Sequence, residues 1–279
     1  MSKTKIAFSF PLICIAASVT SAAPSLRKVA LSGEHAPGTP TGVTFAGFGL
    51  AKLNNVGQIA FSASLSGGSV NGANDYGLWS ERSGNLALVV RDGDQAPDTQ
   101  SDVRFATSGL RLNDAGQVAF SAHVYSLVGG VDESNDEGIW SDRTGILRLI
   151  AREGDHAPGT PSGVVYDGVN TSEGSFDDEL AFNAVGQTAF FSYLGPGGPF
   201  AGHGIWSEGS GALDLVAQSF SQAAGMPSGV NYGSSLRFME QNFNDAGQIA
   251  FSASLSDGRS GIRIGSTANH AEVVLQGEQ

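Results

Sequence analysis

The sequence predicts an all-β protein of tandem four-stranded units, β-propeller-like in architecture, and three observations carry that expectation. One eight-residue motif recurs four times along the chain. Two further landmarks, Gly-[Leu/Ile]-Trp-Ser and Gly-[Glu/Asp]-x-Ala-Pro, return at fixed places around it. Finally, 39 glycines and a charged fraction of only 15% suit a turn-rich β chain better than a helical one.

The recurring motif is Asn54-Asn55-Val56-Gly57-Gln58-Ile59-Ala60-Phe61, and it comes back from Asn113, from Asn183 and from Asn244. Its glycines are Gly57, Gly116, Gly186 and Gly247, spaced by 59, 70 and 61 residues. Asn tolerates turn conformations and bonds its own backbone, while Gly supplies positive φ, so each motif reads as a tight turn between two strands. In the second unit those strands are expected near 103–112 and 117–125. A strand holding Ile139 and Trp140 follows, and the Thr144-Gly145 turn leads to a last strand near 147–152. The equivalent last strands are 86–91 and 213–218. Four short strands over some 60 residues favour propeller blades over helical solenoids or immunoglobulin-like domains.

Trp79, Trp140 and Trp206 share one register, each preceded by Leu or Ile. Burying about 200 Å² of indole is worth at most about 5 kcal/mol, so core packing explains the pattern. Exposed platforms for sugar rings are the functional alternative. The fourth unit carries Arg263 at this place, and looser packing is expected there.

The N-terminus has the order of an export signal. Lys3 and Lys5 precede an apolar stretch, 6–19, and small residues follow at Thr20, Ser21, Ala22 and Ala23. Cleavage after Ala22 is expected, leaving 23–279 as one repeat domain without Cys14, the single cysteine. Packing rather than disulfides must then hold the fold. Removing both lysines takes the formal charge from −12 to −14, a field that repels nucleic acid and leaves cations or cationic surfaces as better partners. No second apolar stretch approaches membrane-spanning length. The units divide at about 26–85, 86–146, 147–212 and 213–270. The final 271–279 resembles 26–35, and reads either as the start of a fifth unit in a longer array or as a closing strand.

Five carboxylates are candidate ligand-binding residues. Glu34, Asp94 and Asp155 coincide within the Gly-[Glu/Asp]-x-Ala-Pro loop, and Asp92 and Glu153 precede it in two copies. A turn whose carboxylate bonds backbone amides is one reading. A ring of carboxylates that attracts Ca²⁺ or a cationic ligand is the other. His35 and His156 alternate with Gln95 and Gln222, an exchange that points to hydrogen bonding. Asp132 and Asp136 in one acidic loop, and Asp177 and Asp178 in another, are weaker metal candidates. Neither loop fits an EF-hand, because Glu137 stands where that motif requires glycine. No cofactor is expected. There is no Gly-x-Ser-x-Gly elbow, His-Glu-x-x-His site or phosphate-cradling loop, and no catalytic residue is assigned.

The run from Asn113 to Ser121, followed by Gly138-Ile139-Trp140-Ser141 and Leu147-Arg148-Leu149-Ile150, resembles the blade pattern of TolB-type β-propeller repeats. The longer unit with Gly-Asp-x-Ala-Pro resembles an uncharacterised family of exported bacterial repeat proteins. Members of that family often end in a PEP-CTERM-type sorting signal, which this sequence does not display. The resemblance implies an exported, cell-surface or extracellular protein. It is nearly silent on activity, since propellers host many unrelated functions. A non-catalytic binding or interaction scaffold for a protein or carbohydrate ligand is therefore expected. A polysaccharide hydrolase or lyase using loop carboxylates, and a structural envelope or matrix protein, are the alternatives.

Overall fold

The computed structural model describes residues 26–82, 84–168, 180–195, 202–238, 240–266 and 269–276. The expected export signal, Cys14, Asp177 and Asp178 lie outside them. Every regular element described is a β-strand except one short 3-10 turn, Glu240–Asn242, and none is a helix long and apolar enough to cross a membrane.

The strands form four antiparallel meanders in chain order. The first sheet runs β1 (Thr44–Leu53), β2 (Ile59–Ser66), β3 (Tyr76–Ser80) and β4 (Ala87–Arg91). The second begins with a broken strand, β5 (Val103–Thr107) and β6 (Arg111–Leu112). Both pieces pair with β7 (Val118–Ser126), which leads to β8 (Glu137–Ser141) and β9 (Arg148–Arg152). The third repeats that break, with β10 (Val165–Tyr166) and β11 (Leu180–Phe182) on β12 (Thr188–Gly195), then β13 (His203–Ser207) and β14 (Asp214–Gln218). The fourth is β15 (Tyr232–Arg237), β16 (Ile249–Leu255), β17 (Ser260–Ser266) and β18 (Asn269–Gln276). Hydrogen bonding thus places the unit borders after Arg91, Arg152 and Gln218, one strand later than the cuts drawn from the sequence. Residues 271–276, which resemble the opening of a fifth unit, complete the fourth sheet.

Each motif has a local cause. Asn113 Oδ1 accepts from the Ala115 and Gln117 amides at 3.1 and 3.0 Å, closing the turn. Gly116 sits there at φ 74° with the preceding unit packed against it, so a Cβ would meet Gln58 Oε1 at 2.7 Å. The Gly-[Leu/Ile]-Trp run is explained by the indole folding back over its own glycine. A Cβ on Gly138 would lie 2.6 Å from the Trp140 ring. All four sheets also carry a bulge at one place, where the fourth strand has one extra residue opposite Leu78/Trp79, Ile139/Trp140, Ile205/Trp206 or Ile262/Arg263. Such a bulge sharpens the local twist.

The sheets pack face on face. Ala60, Leu78 and Val90 of the first meet Phe105, Phe120 and Trp140 of the second. Ala119, Ile139 and Ala151 of the second meet Tyr166, Phe190 and Trp206 of the third. Ala189 and Ile205 of the third meet Tyr232, Leu236 and Phe251 of the fourth. The three tryptophans are wholly buried, each edge-on to the aromatic ring of its first strand, with centroids 4.9–5.1 Å apart. Their Nε1 groups donate to the Pro37, Pro97 and Pro158 carbonyls at 3.0, 3.2 and 3.0 Å. Burial on this scale leaves no face for stacking a sugar.

Arg263 corrects the expectation of a loosely packed fourth unit. It is 1% exposed, lies over Tyr232 at 5.6 Å, and its Nη1 donates to the Ala224 carbonyl at 2.5 Å. Ala224 stands where the other units have proline, so the arginine takes the place of the tryptophan and makes its hydrogen bond, while Nη2 is buried without a hydrogen-bond partner among the described residues. Phe220 likewise replaces the loop's leading glycine, keeping its φ of 67° and its amide bond to the Tyr232 carbonyl. Arg263→Met preserves the apolar stem but loses the donor and the cation over the ring. It is expected to lower unfolding free energy by about 1–3 kcal/mol in urea titrations. An unchanged midpoint would show that Arg263 only fills space.

Candidate functional site

The Gly-[Glu/Asp]-x-Ala-Pro loop is built largely for structure. Gly93 donates to the Phe105 carbonyl at 2.9 Å, Asp94 Oδ2 accepts from the Arg91 amide at 2.8 Å, and Ala96 is fully buried. His35 and His156 Nδ1 lie 3.0 Å from the Val43 and Val164 carbonyls, and Gln222 Nε2 donates to the Val230 carbonyl at 3.0 Å. The His/Gln exchange therefore preserves a hydrogen bond to backbone. Glu34 pairs with Lys28 at 2.5 Å on the surface. Asp155 is held above the usual carboxylate range by burial, while the Arg152 guanidinium pulls it back. Each of these three loop carboxylates has its own local partner.

Asp92 and Glu153 belong to a different arrangement, a row of three side chains crossing the end of each sheet. Cross-strand pairing sets His123 opposite Glu137, and the Glu153 amide donates to the Glu137 carbonyl at 2.9 Å, which places Glu153 next in line. Directly opposed residues hold their Cβ atoms about 5 Å apart on one face. The first sheet has Ser64, Tyr76 and Asp92 at these places, and the third has Tyr193, His203 and Ser219. The framework around the rows is nearly constant, whereas the rows change chemistry from unit to unit.

The second row holds two strongly perturbed carboxyls. Burial, then the charges of Glu153 and Asp136, pushes Glu137 up to about 8. Burial, then Asp136 and Asp167, pushes Glu153 up to about 7. The two carboxyls are coupled, and the charge of Glu153 helps hold the proton on Glu137. Glu137 Oε2 and Glu153 Oε2 are buried with no hydrogen-bond partner among the described residues. Glu137 Oε1 lies 3.5 Å from His123 Nε2. Arg152, the residue before Glu153, is committed elsewhere, bonding the Asn135 carbonyl and side chain at 2.8 and 3.3 Å. Asp92 is also raised by burial, offset by donors from the Thr107 amide and hydroxyl at 2.8 Å each. Burial, then Arg237, lowers His203, whose ring lies tilted against Phe191 at 5.0 Å.

Asp136 joins this cluster through its charge and lies 3.9 Å from His123 Nδ1. Asp132 does not join it. Its carboxylate is spent on the Ser134 amide and hydroxyl at 3.0 and 2.6 Å, an Asx turn. Among the described residues no three His, Cys, Asp or Glu side chains are grouped to hold a metal ion. Glu137, His123, Tyr76 and His203 were not singled out from the sequence. The available signal was position: Tyr76, Glu137 and His203 each stand immediately before the glycine of Gly-[Leu/Ile]-Trp.

A folded-state pKa above the unfolded one means that the folded protein keeps a proton the unfolded chain has lost. The stability conferred by neutral Glu137 is complete below 4.5 and is lost as pH rises to about 8. Glu137→Gln abolishes that titration. Relative to wild type it is expected to gain thermal stability progressively from pH 5 to pH 8, approaching ~1 kcal/mol per unit. A difference in melting temperature that stays constant over this range would contradict the assignment.

A search of curated proteins returns no match. A family of unknown function matches the sequence twice, over residues 16–157, which take in the first two sheets, and over 126–269, which take in the third and most of the fourth. Together these matches cover nearly the whole sequence, and the chain belongs to that family, DUF7453.

Proposed function

We propose that the protein is an exported, non-catalytic binding or interaction scaffold, with its four sheets arranged as propeller-like blades and its ligand surface at the row-bearing end. The observation that carries this reading is the contrast between framework and row. Trp–Pro bonds, Asn turns and bulges repeat, while Ser64–Tyr76–Asp92, His123–Glu137–Glu153 and Tyr193–His203–Ser219 differ completely. A repeated scaffold that varies one rim position is suited to a composite surface for a protein or carbohydrate ligand. The acidic net charge favours a ligand that brings positive charge.

Proton retention by Glu137 near neutral pH is what a general acid needs, and it favours a second reading as a polysaccharide hydrolase. The burial of both unpartnered oxygens weighs against direct contact with a glycosidic oxygen. The deciding experiment presents the immobilised chain with arrays of glycans, peptides and cell-envelope fractions. Saturable binding that weakens at least tenfold in Glu137→Gln or His203→Ala, with no loss of melting temperature, supports the scaffold. Absence of saturable binding contradicts it, and product release abolished by Glu137→Gln supports the hydrolase.

A further inference from the structure

The outer face of the fourth sheet lacks the cover that its counterparts have. Ile262 stands at the position of Leu78, Ile139 and Ile205, which the following sheets leave 0–1% exposed, yet Ile262 is 51% exposed. Ser252, equivalent to the buried Ser62 and Ser121, is also exposed. Together with Ser235 and Ser260 it lines an open cavity of about 330 Å³ beside Ile262. The polar contacts between sheets stop at the same edge. Asn54, Asn113 and Asn183 are buried, and each Nδ2 donates to the carbonyl of the next in the series at 2.9–3.0 Å. Asn244 is exposed, and among the described residues its Nδ2 reaches only Gln248 Oε1, at 2.9 Å.

The first sheet carries the complementary face, its Phe45, Phe61 and Trp79 only 0–4% exposed, with Val29 and Ala30 of its own chain packed against them. Phe45, Phe61 and Trp79 form the same aromatic group that Phe105, Phe120 and Trp140 press onto the first sheet's other side. Asn54 carries the equivalent carbonyl, and Asn55 stands where Asp114 and Asp245 accept the amides of Asn55 and Ala184 from the unit before. Phe48, packed at an angle against Phe45 and Phe61, is 48% exposed. The charge pattern also fits. Asp142 and Glu208 take Arg82 and Arg143 from the preceding unit, whereas Glu81 already holds Arg27 of its own chain at 2.6 Å. The fourth unit has Ser266 where those arginines stand, so it brings no competing cation.

We propose that the Ile262 face of the fourth sheet docks on the Phe45–Phe61–Trp79 face of a second copy, continuing the internal sheet-to-sheet interface between molecules. Such a contact is head-to-tail, and closes into a ring or extends as a stack according to its rotation. Val29 and Ala30 lie in a strandless segment packed on this aromatic group, and docking requires that segment to move aside. The inference goes beyond the scaffold reading and needs no ligand, so the two fail independently.

Sedimentation velocity of the purified full chain over a concentration series is the test. Wild type is expected to rise above monomer mass, and Ile262→Glu and Phe48→Glu each to remain monomeric with unchanged circular dichroism. An equimolar mixture of these two variants is expected to form a 1:1 dimer and nothing larger, since each keeps one competent face. Ser252→Arg, at an exposed position on the same face, repeats the Ile262 result if that variant misfolds. Monomeric wild type at every soluble concentration, undiminished association of Ile262→Glu or Ser252→Arg, or a mixture that stays monomeric would each overturn the proposal.

Discussion

The side-chain amide of the turn asparagine is the interaction on which the rest of the structure depends. Asn113 uses its whole hydrogen-bonding capacity: its oxygen accepts two amides of its own turn, and its nitrogen donates to Gln117 Oε1 and to the Asn183 carbonyl of the next unit. One side chain therefore closes a hairpin and sets the distance to the neighbouring sheet. Arginines reinforce the spacing at the same end, Arg82 onto Asp142 at 2.8 Å and Arg143 onto Glu208 at 2.9 Å. Those carboxylates in turn accept the first amide of the second strand, from Val118 and Thr188. Buried Arg111 adds a direct bond to the Leu180 carbonyl at 2.6 Å. With spacing fixed there, the Leu/Ile face of one sheet meets the aromatic face of the next without a gap.

The opposite end of each sheet is held differently, and this asymmetry is where function has room. Trp, Pro and the buried Ala of the loop fasten the first strand to the third within a sheet, and the asparagines fasten sheet to sheet. Neither device involves the cross-strand row. Its side chains are free to change without loosening the framework, and the second unit uses that freedom to bury two carboxyls beside Asp136 and Asp167 at the cost of their ionisation. A binding surface made from such rows inherits rigidity from bonds it does not itself supply.

Much of the architecture was legible because its causes are local. The Asn-x-x-Gly-Gln turn, the period of the strands and the burial of the tryptophans follow from hydrogen-bonding chemistry and apolar pattern within a few residues. Unit borders were not, because the Gly-Asp-x-Ala-Pro loop looks like an end while the sheet is closed by strand pairing just before it. Arg263 read as a defect because sequence shows its charge and not the Ala224 carbonyl that awaits it. The candidate site was half legible. Asp92 and Glu153 drew attention through their loop, yet what distinguishes them is being opposite Tyr76 and Glu137 across a strand, a relation set by register. Asp94 looked equivalent to them and Asp132 a weaker metal candidate, but Asp94 accepts the Arg91 amide and Asp132 the Ser134 amide and hydroxyl.

The asparagine claim is tested most directly by comparing Asn113→Ala with Asn244→Ala in urea unfolding, at a concentration where the chain is monomeric. Both residues close the same turn, but only Asn113 is buried and donates to a following unit. The account predicts a loss of about 2–4 kcal/mol for Asn113→Ala and under about 1 kcal/mol for Asn244→Ala. Equal losses would mean that the amide serves only its own hairpin, and that apolar packing alone sets the spacing of the sheets.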